Sequence, residues 1–159
     1  MKVLLADLQE TLDAGKSVSD SGIATAVVWD RNGRPKALPP LDGDVQCEAK
    51  AIGPRGEVAG VSRSAGDLFS AVVWDHDGTP TALPGLGGDP ECVAWAINAH
   101  GLIAGTSFGN GPVTAVKWDR DRKPTALPSF DGSVESRAQA VNQSGEVAGS
   151  CHGTAVIWR

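Results

Sequence analysis

Thr25-Ala26-Val27-Val28-Trp29-Asp30 returns three times along the chain, as SAVVWD at 70–75, TAVKWD at 114–119 and TAVIWR at 154–159. The four tryptophans are separated by 45, 44 and 40 residues (74 − 29, 118 − 74 and 158 − 118). Recurrence at that period marks a repeat architecture, in which a unit cannot bury its apolar faces alone and its neighbours must cover them.

Working outward from SAVVWD, each full unit holds four short segments with turn signals between them. CEAKAIG (47–53) alternates in character and reads as a strand, Pro54-Arg55-Gly56 as a turn, and EVAGVS (57–62) as a second strand. SAVVWD is the third strand, Asp77-Gly78 a two-residue hairpin signal, and TALP (81–84) a short fourth strand. Pro35, Pro80 and Pro124 open the fourth strands, and Pro39, Pro84 and Pro128 close them. Proline has no N–H for a ladder, so this strand is the outer edge of an antiparallel sheet. The alanine-rich CEAKAIG type is then the inner strand. CVAWAIN (92–98) and SRAQAVN (136–142) repeat it.

Four units of about four strands predict an all-β fold, a small four-bladed β-propeller. The blades span approximately 6–39, 46–84, 91–128 and 135–159. In the first unit Gly15 aligns with Gly145, which makes DLQETLD (7–13) its inner strand and KSVSDS (16–21) its second; a register pairing SDSG (19–22) with NAHG (98–101) is the lesser alternative. The last unit lacks an outer strand, and KVLL (2–5) is expected to supply it and close the ring. A half-ring that dimerises into an eight-bladed toroid is the alternative closure, and a helix over 3–14 is the alternative for the N-terminus. Trp29, Trp74, Trp118 and Trp158 are expected to pack between blades, because a side chain present in every unit serves the scaffold.

The bulk properties exclude several classes. The 159 residues suffice for one substantial core. Net charge is −5 and the basic residues are scattered, which speaks against nucleic acid as a partner. No apolar run approaches the ~18 residues of a membrane span. Asp7, Gln9 and Glu10 interrupt the N-terminal apolar stretch, so no signal peptide is read and a cytoplasmic monomer or homodimer is expected. Cys47, Cys92 and Cys151 are too few for a disulfide framework. With His152 they are the right types for zinc, but no close Cys pair exists, so no metal and no cofactor are expected.

AINAHGLIAG (96–105), AVNQSGEVAG (140–149) and AVVWDHDGTPTALPGLGG (71–88) resemble the HAF-repeat family, as do the other Trp segments, over nearly the whole chain. The family's His is Thr25, Ser70, Thr114 or Thr154 here, and its Phe is Val27, Val72, Val116 or Val156. The resemblance implies a propeller-like repeat fold and no particular reaction.

In such a fold, chemistry resides where one unit differs from its siblings. One aligned inner-strand layer holds Glu10, Lys50, Trp95 and Gln139, and the layer beside it holds Leu8, Glu48, Val93 and Arg137. In a closed ring these layers flank a central channel, where opposed charges shift one another's ionisation or hold a polar ligand. Trp95 reads either as a plug for that channel or as a stacking platform. Loops at the same end carry Phe69 and Phe108, and the short Cys151-His152-Gly153 loop brings His152 there. The expected ligand contacts are therefore Trp95, Gln139, Glu48, Arg137 and Phe108. His152, Lys50 and Glu10 are the candidate acid–base groups, with His152 first because it titrates nearest neutral pH. Two functional readings stay open. One is a module that binds a small molecule or a partner at the channel mouth. The other is a cofactor-independent cyclase, isomerase or hydrolase, of the kind met in specialised metabolism, that uses the same polar groups.

Overall fold

The computed structural model describes residues 11–130, 132 and 135–159. Within them the regular structure is β-strand, apart from one 3-10 turn at Leu86–Gly88. The first sheet holds β1 (Thr11–Val18), β2 (Ala24–Asp30) and β3 (Pro35–Leu38) in that order. The second holds β4 (Gln46–Ile52), β5 (Val58–Arg63), β6 (Phe69–Trp74) and β7 (Pro80–Ala82). The third repeats it with β8 (Glu91–Ile97), β9 (Ile103–Phe108), β10 (Thr114–Trp118) and β11 (Pro124–Ala126). The fourth holds β12 (Ser136–Val141), β13 (Val147–Cys151) and β14 (Thr154–Trp158). Every pairing is antiparallel between strands adjacent in the chain, as short connections dictate.

The sheets follow one another in a row. β4 packs on β1 and β2, β8 on β4, β5 and β6, and β12 on β8, β9 and β10. The first strands β4, β8 and β12 thus meet in succession on one side, while the proline-bounded strands lie on the other. Three apolar cores fill the gaps. Between sheets one and two, Ala26, Val28 and Leu38 meet Cys47, Ala49, Val58 and Trp74. Between two and three, Ala59, Ala71, Val73 and Leu83 meet Ala94, Ile97, Ile103 and Trp118. Between three and four, Ala104, Ala115 and Leu127 meet Ala138, Val147 and Trp158.

Hydrogen bonds repeat in step with these cores. The indole N–H groups of Trp74, Trp118 and Trp158 donate to the carbonyls of Pro39, Pro84 and Pro128 on the preceding sheet, at 2.7, 2.8 and 2.7 Å. The Ala26 and Ala71 N–H groups donate to the sulfurs of Cys47 and Cys92, and the thiols donate back to Leu38 and Leu83 carbonyls. Ser136 takes the same place, accepting from the Ala115 N–H at 2.9 Å. Burial pushes the Cys47 and Cys92 thiols above their ordinary pKa, since a thiolate in an apolar gap loses its hydration.

Two expectations are corrected. First, the strand beside TAVVWD is Thr11–Val18, not 16–21. Gly15 lies opposite Val27 as Gly60 lies opposite Val72, so it is a strand glycine and not the counterpart of the turn residue Gly145. The misreading comes from loop length. Gly60 precedes Trp74 by 14 residues, as Gly15 precedes Trp29, whereas the β13–β14 hairpin is five residues shorter than β5–β6 (18 residues from Gly56 to Trp74, 13 from Gly145 to Trp158) and brings the turn glycine of the last unit to a similar distance. Residues 11–13 therefore leave the proposed inner strand. Glu10 and Lys2–Leu5, the proposed closing strand, lie outside the described residues.

Second, Asp77-Gly78 is not a two-residue hairpin. The loop runs 75–79, with Asp75 N–H donating to the Thr79 carbonyl and Gly78 N–H to the Asp75 carbonyl. The Asp75 carboxylate accepts from the Asp77 and Thr79 amides, and these backbone bonds, the Thr79 one foremost, hold it below its ordinary pKa. Gly78 sits at φ +91°, where a side chain is strained; Arg122 takes the equivalent place at φ +65° and reaches Glu57 at 3.1 Å.

Closure of the ring is not seen among the described residues, whose first and fourth sheets share no extended packing. No helix among them is long and apolar enough to cross a membrane.

Candidate functional site

The first strands of sheets two, three and four share an irregularity. Pairing with the second strand skips one residue between Ala49 and Ala51, between Ala94 and Ala96, and between Ala138 and Ala140. The skipped residues are Lys50, Trp95 and Gln139. A bulge leaves its residue out of the ladder and re-aims its side chain, and bulges recur beside active sites. The facing strand has glycine at each crossing, opposite Ala49, Ala94 and Ala138. At Gly105 a Cβ would run into the Val93 carbonyl and lie 2.7 Å from the Trp118 ring, so no larger residue fits without displacement.

Lys50 and Trp95 help to line a cavity of about 360 Å³ that spans sheets two, three and four. Glu48, Val93 and Arg137, the parallel layer two positions earlier in the chain, also line it. Across the ladder Val61 faces Glu48 and Thr106 faces Val93, adding a second row. Phe69, Phe108 and Val113 complete the apolar wall at the ends of the adjoining strands.

The polar groups are arranged around one carboxylate. Glu48 Oε1 lies 2.8 Å from Lys50 Nζ and its Oε2 3.3 Å from Lys16 Nζ. Burial raises the pKa of Glu48, but the hydrogen bonds and charges of Lys50 and then Lys16 outweigh it and hold the carboxyl below its ordinary value. Lys16, beside the cavity, and Lys50, in its wall, thus share one carboxylate, and the Glu91 carboxylate accepts from the Phe69 N–H at 3.3 Å. Lys50 also lies over the Trp95 ring, 4.9 Å from its centroid, a cation–π contact. Trp95 remains 38% exposed. Arg137 is paired with Glu135. Thr106 is 4% exposed, and its hydroxyl has no hydrogen-bond partner among the described residues.

A second depression, of about 260 Å³, lies on the other side of Glu48 and reaches Lys16 and Val18 of the first sheet. It shares Glu48, Val61 and Phe69 with the first. Phe69 carries the Arg63 guanidinium 5.3 Å from its ring, and Arg63 is bound to Asp67 at 2.7 Å.

Of the residues singled out in the sequence, Lys50, Glu48, Trp95, Arg137 and Phe108 are brought together. Gln139 is exposed at its bulge and is not in the lining. His152 is also outside it. That residue sits in the exposed β13–β14 turn at φ +45°, its amide donating to the Glu135 carbonyl. A short loop follows its own ladder outward and does not reach back across the sheet. Val61, Thr106 and Val113 escaped the sequence reading. The signal that finds the first two is cross-strand pairing with Glu48 and Val93, which requires the bulge to be placed first. Among the described residues no three His, Cys, Asp or Glu side chains are grouped to hold a metal ion.

These features define an all-β chain of propeller-type sheets with a cleft at the edge where its first strands meet. TolB from Acinetobacter baumannii, a β-propeller-containing structure, is similar to it with a TM-score of 0.62 at 18% identity over 92% of this chain. This chain spans 38% of the length of that TolB chain. At that identity the likeness concerns the fold. No family model matches the sequence, and no curated protein matches it.

Proposed function

We propose that this chain is a binding module of the HAF-repeat type, and that its cleft takes a small planar ligand bearing a negative charge. The observation that carries the reading is the Lys50–Trp95 pair, which joins a partly exposed aromatic surface to an ammonium at the mouth of an apolar cavity. Valine and phenylalanine walls favour an apolar body, and a few convergent polar groups fix its orientation. Lys50, over the Trp95 ring, is the cation in the cavity wall that pairs with the ligand's negative charge, and Trp95 offers the surface on which a ring stacks. Binding is favoured over acid–base catalysis because His152 is absent from the lining, while Glu48 and Lys50 neutralise each other.

The test is titration with 2-naphthoate, followed by amide chemical shifts. Trp95→Ala is expected to weaken binding about tenfold, the equivalent of one lost aromatic contact. Lys50→Met weakens it while a neutral naphthalene derivative is held equally by both forms. His152→Ala leaves binding unchanged. Equal binding by wild type and Trp95→Ala contradicts the reading.

A further inference from the structure

We infer that the Thr106 hydroxyl is the specificity contact of the cleft, and that the anionic ring proposed above carries a hydrogen-bonding group, a hydroxyl or carbonyl oxygen, away from its charge. The inference rests on the proposed function and adds to it the chemistry of the ligand's body. Thr106 lines the cavity from β9 and is 4% exposed. Its Oγ1 is closed off from bulk water and has no hydrogen-bond partner among the described residues. A buried hydroxyl without a partner destabilises a fold, because its bonds to water are lost and not replaced.

The scaffold does not require that hydroxyl. Thr106 lies opposite Val93 and Ala115 in its ladder. The same place in the other sheets, opposite Ala26, Ala71 and Ala155, is held by Lys16, Val61 and Ser150. Val61 is buried as well, at 7% exposure, and fills its place without a polar atom. Valine and threonine share a branched outline, so the apolar isostere suits this position in the strand.

The cavity wall offers no side chain to pair with it. Val93, Phe108 and Val113 line the same cavity and carry no polar side-chain atom. The charged lining groups are engaged, Glu48 with Lys16 and Lys50, and Arg137 with Glu135. A partner for Oγ1 therefore comes from what fills the cavity. One staggered step about the Cα–Cβ bond exchanges hydroxyl and methyl, so the residue can turn either towards a ligand. The hydroxyl both donates and accepts, which suits a ligand hydroxyl or carbonyl oxygen. Lys50, over the Trp95 ring, takes the charged end, and Thr106 supplies a second polar point that sets how a planar body lies in the cleft. A site built this way rejects the analogue that lacks the group, since its own buried hydroxyl then stays unpaired.

The test titrates the full chain with 2-naphthoate and with the hydroxy-2-naphthoates that carry the hydroxyl at each free position of the distal ring. At least one isomer should bind the wild type about tenfold more tightly than 2-naphthoate does. Thr106→Val should abolish that preference and still bind 2-naphthoate as the wild type does. Thr106→Ser keeps the hydroxyl and should keep the preference. Without ligand, Thr106→Val should unfold at the same or a higher urea concentration than the wild type, because no bond of the folded chain is lost. Three results overturn the inference while 2-naphthoate still binds and the proposed function stands. They are no preference for any isomer, as when water alone satisfies the hydroxyl; a preference that survives Thr106→Val; and an unliganded Thr106→Val that unfolds at lower urea. Failure of every probe to bind overturns the reading of the cleft and this inference together.

Discussion

The indole N–H of Trp118 on the third sheet donates to the carbonyl of Pro84 at the end of the second sheet's outer strand, 2.8 Å away. Trp74 and Pro39 repeat the relationship one sheet earlier. Both rings are fully buried. Trp118→Phe keeps most of the ring and leaves the proline carbonyl unpaired, so urea unfolding should show a loss of about 1–3 kcal/mol. Trp118→Ala also opens a cavity and should cost at least about 3–5 kcal/mol. Trp29 has no such acceptor among the described residues and is less buried, so Trp29→Phe should change stability by under about 1 kcal/mol.

The strand glycines of the later sheets allow no larger residue. A Cβ on Gly105 or Gly149 would strike the backbone of the neighbouring first strand. Gly105→Ala should therefore destabilise by about 1–3 kcal/mol or more. Thermal unfolding of the variant beside the wild type checks the effect.

Buried Cys47 and Cys92 link stability to alkaline pH. Their folded pKa values are raised, so their contribution is complete below the unfolded thiol value of about 8.5 and is lost as pH rises toward the folded values. Denaturant midpoints should fall between neutral and strongly alkaline pH. Cys92→Ser, whose hydroxyl does not titrate in that range, should flatten the fall. Native Cys47 and Cys92 should also react slowly with a thiol reagent, and rapidly once the chain is unfolded.

Glu48 acts with the opposite sign. Its folded pKa is lowered, so its ion pairs stabilise fully above the unfolded glutamate value of about 4.3, and that contribution fades as pH falls through the folded value. Glu48→Gln should remove this part of the acid dependence. It should also free both Lys16 and Lys50, tightening the binding of an anionic probe.

The all-β class and the cutting of the middle units into four strands were legible because alternation, alanine-rich first strands and bracketing prolines leave local marks. Lys50 and Trp95 were legible as departures from the repeat. Their shared cause, the bulge between flanking alanines, was not, since a skipped ladder position leaves no mark in composition. The first unit was misregistered because Gly15 has two types of glycine counterpart, and only pairing with Val27 distinguishes them. Thr106 was missed because its place in the wall depends on the strand opposite. The expectation of a closed ring came from counting units. Whether such a row closes depends on the angle between sheets, which the repeat does not encode.

The most direct test of the central claim is the amide chemical-shift map of the labelled protein titrated with 2-naphthoate. The predicted perturbations are centred on Lys50, Trp95, Thr106 and Phe108, and in Trp95→Ala the remaining ones need about tenfold more probe to reach the same extent. Perturbations centred on the β13–β14 turn around His152, or none at saturating probe, would contradict the assignment of the site.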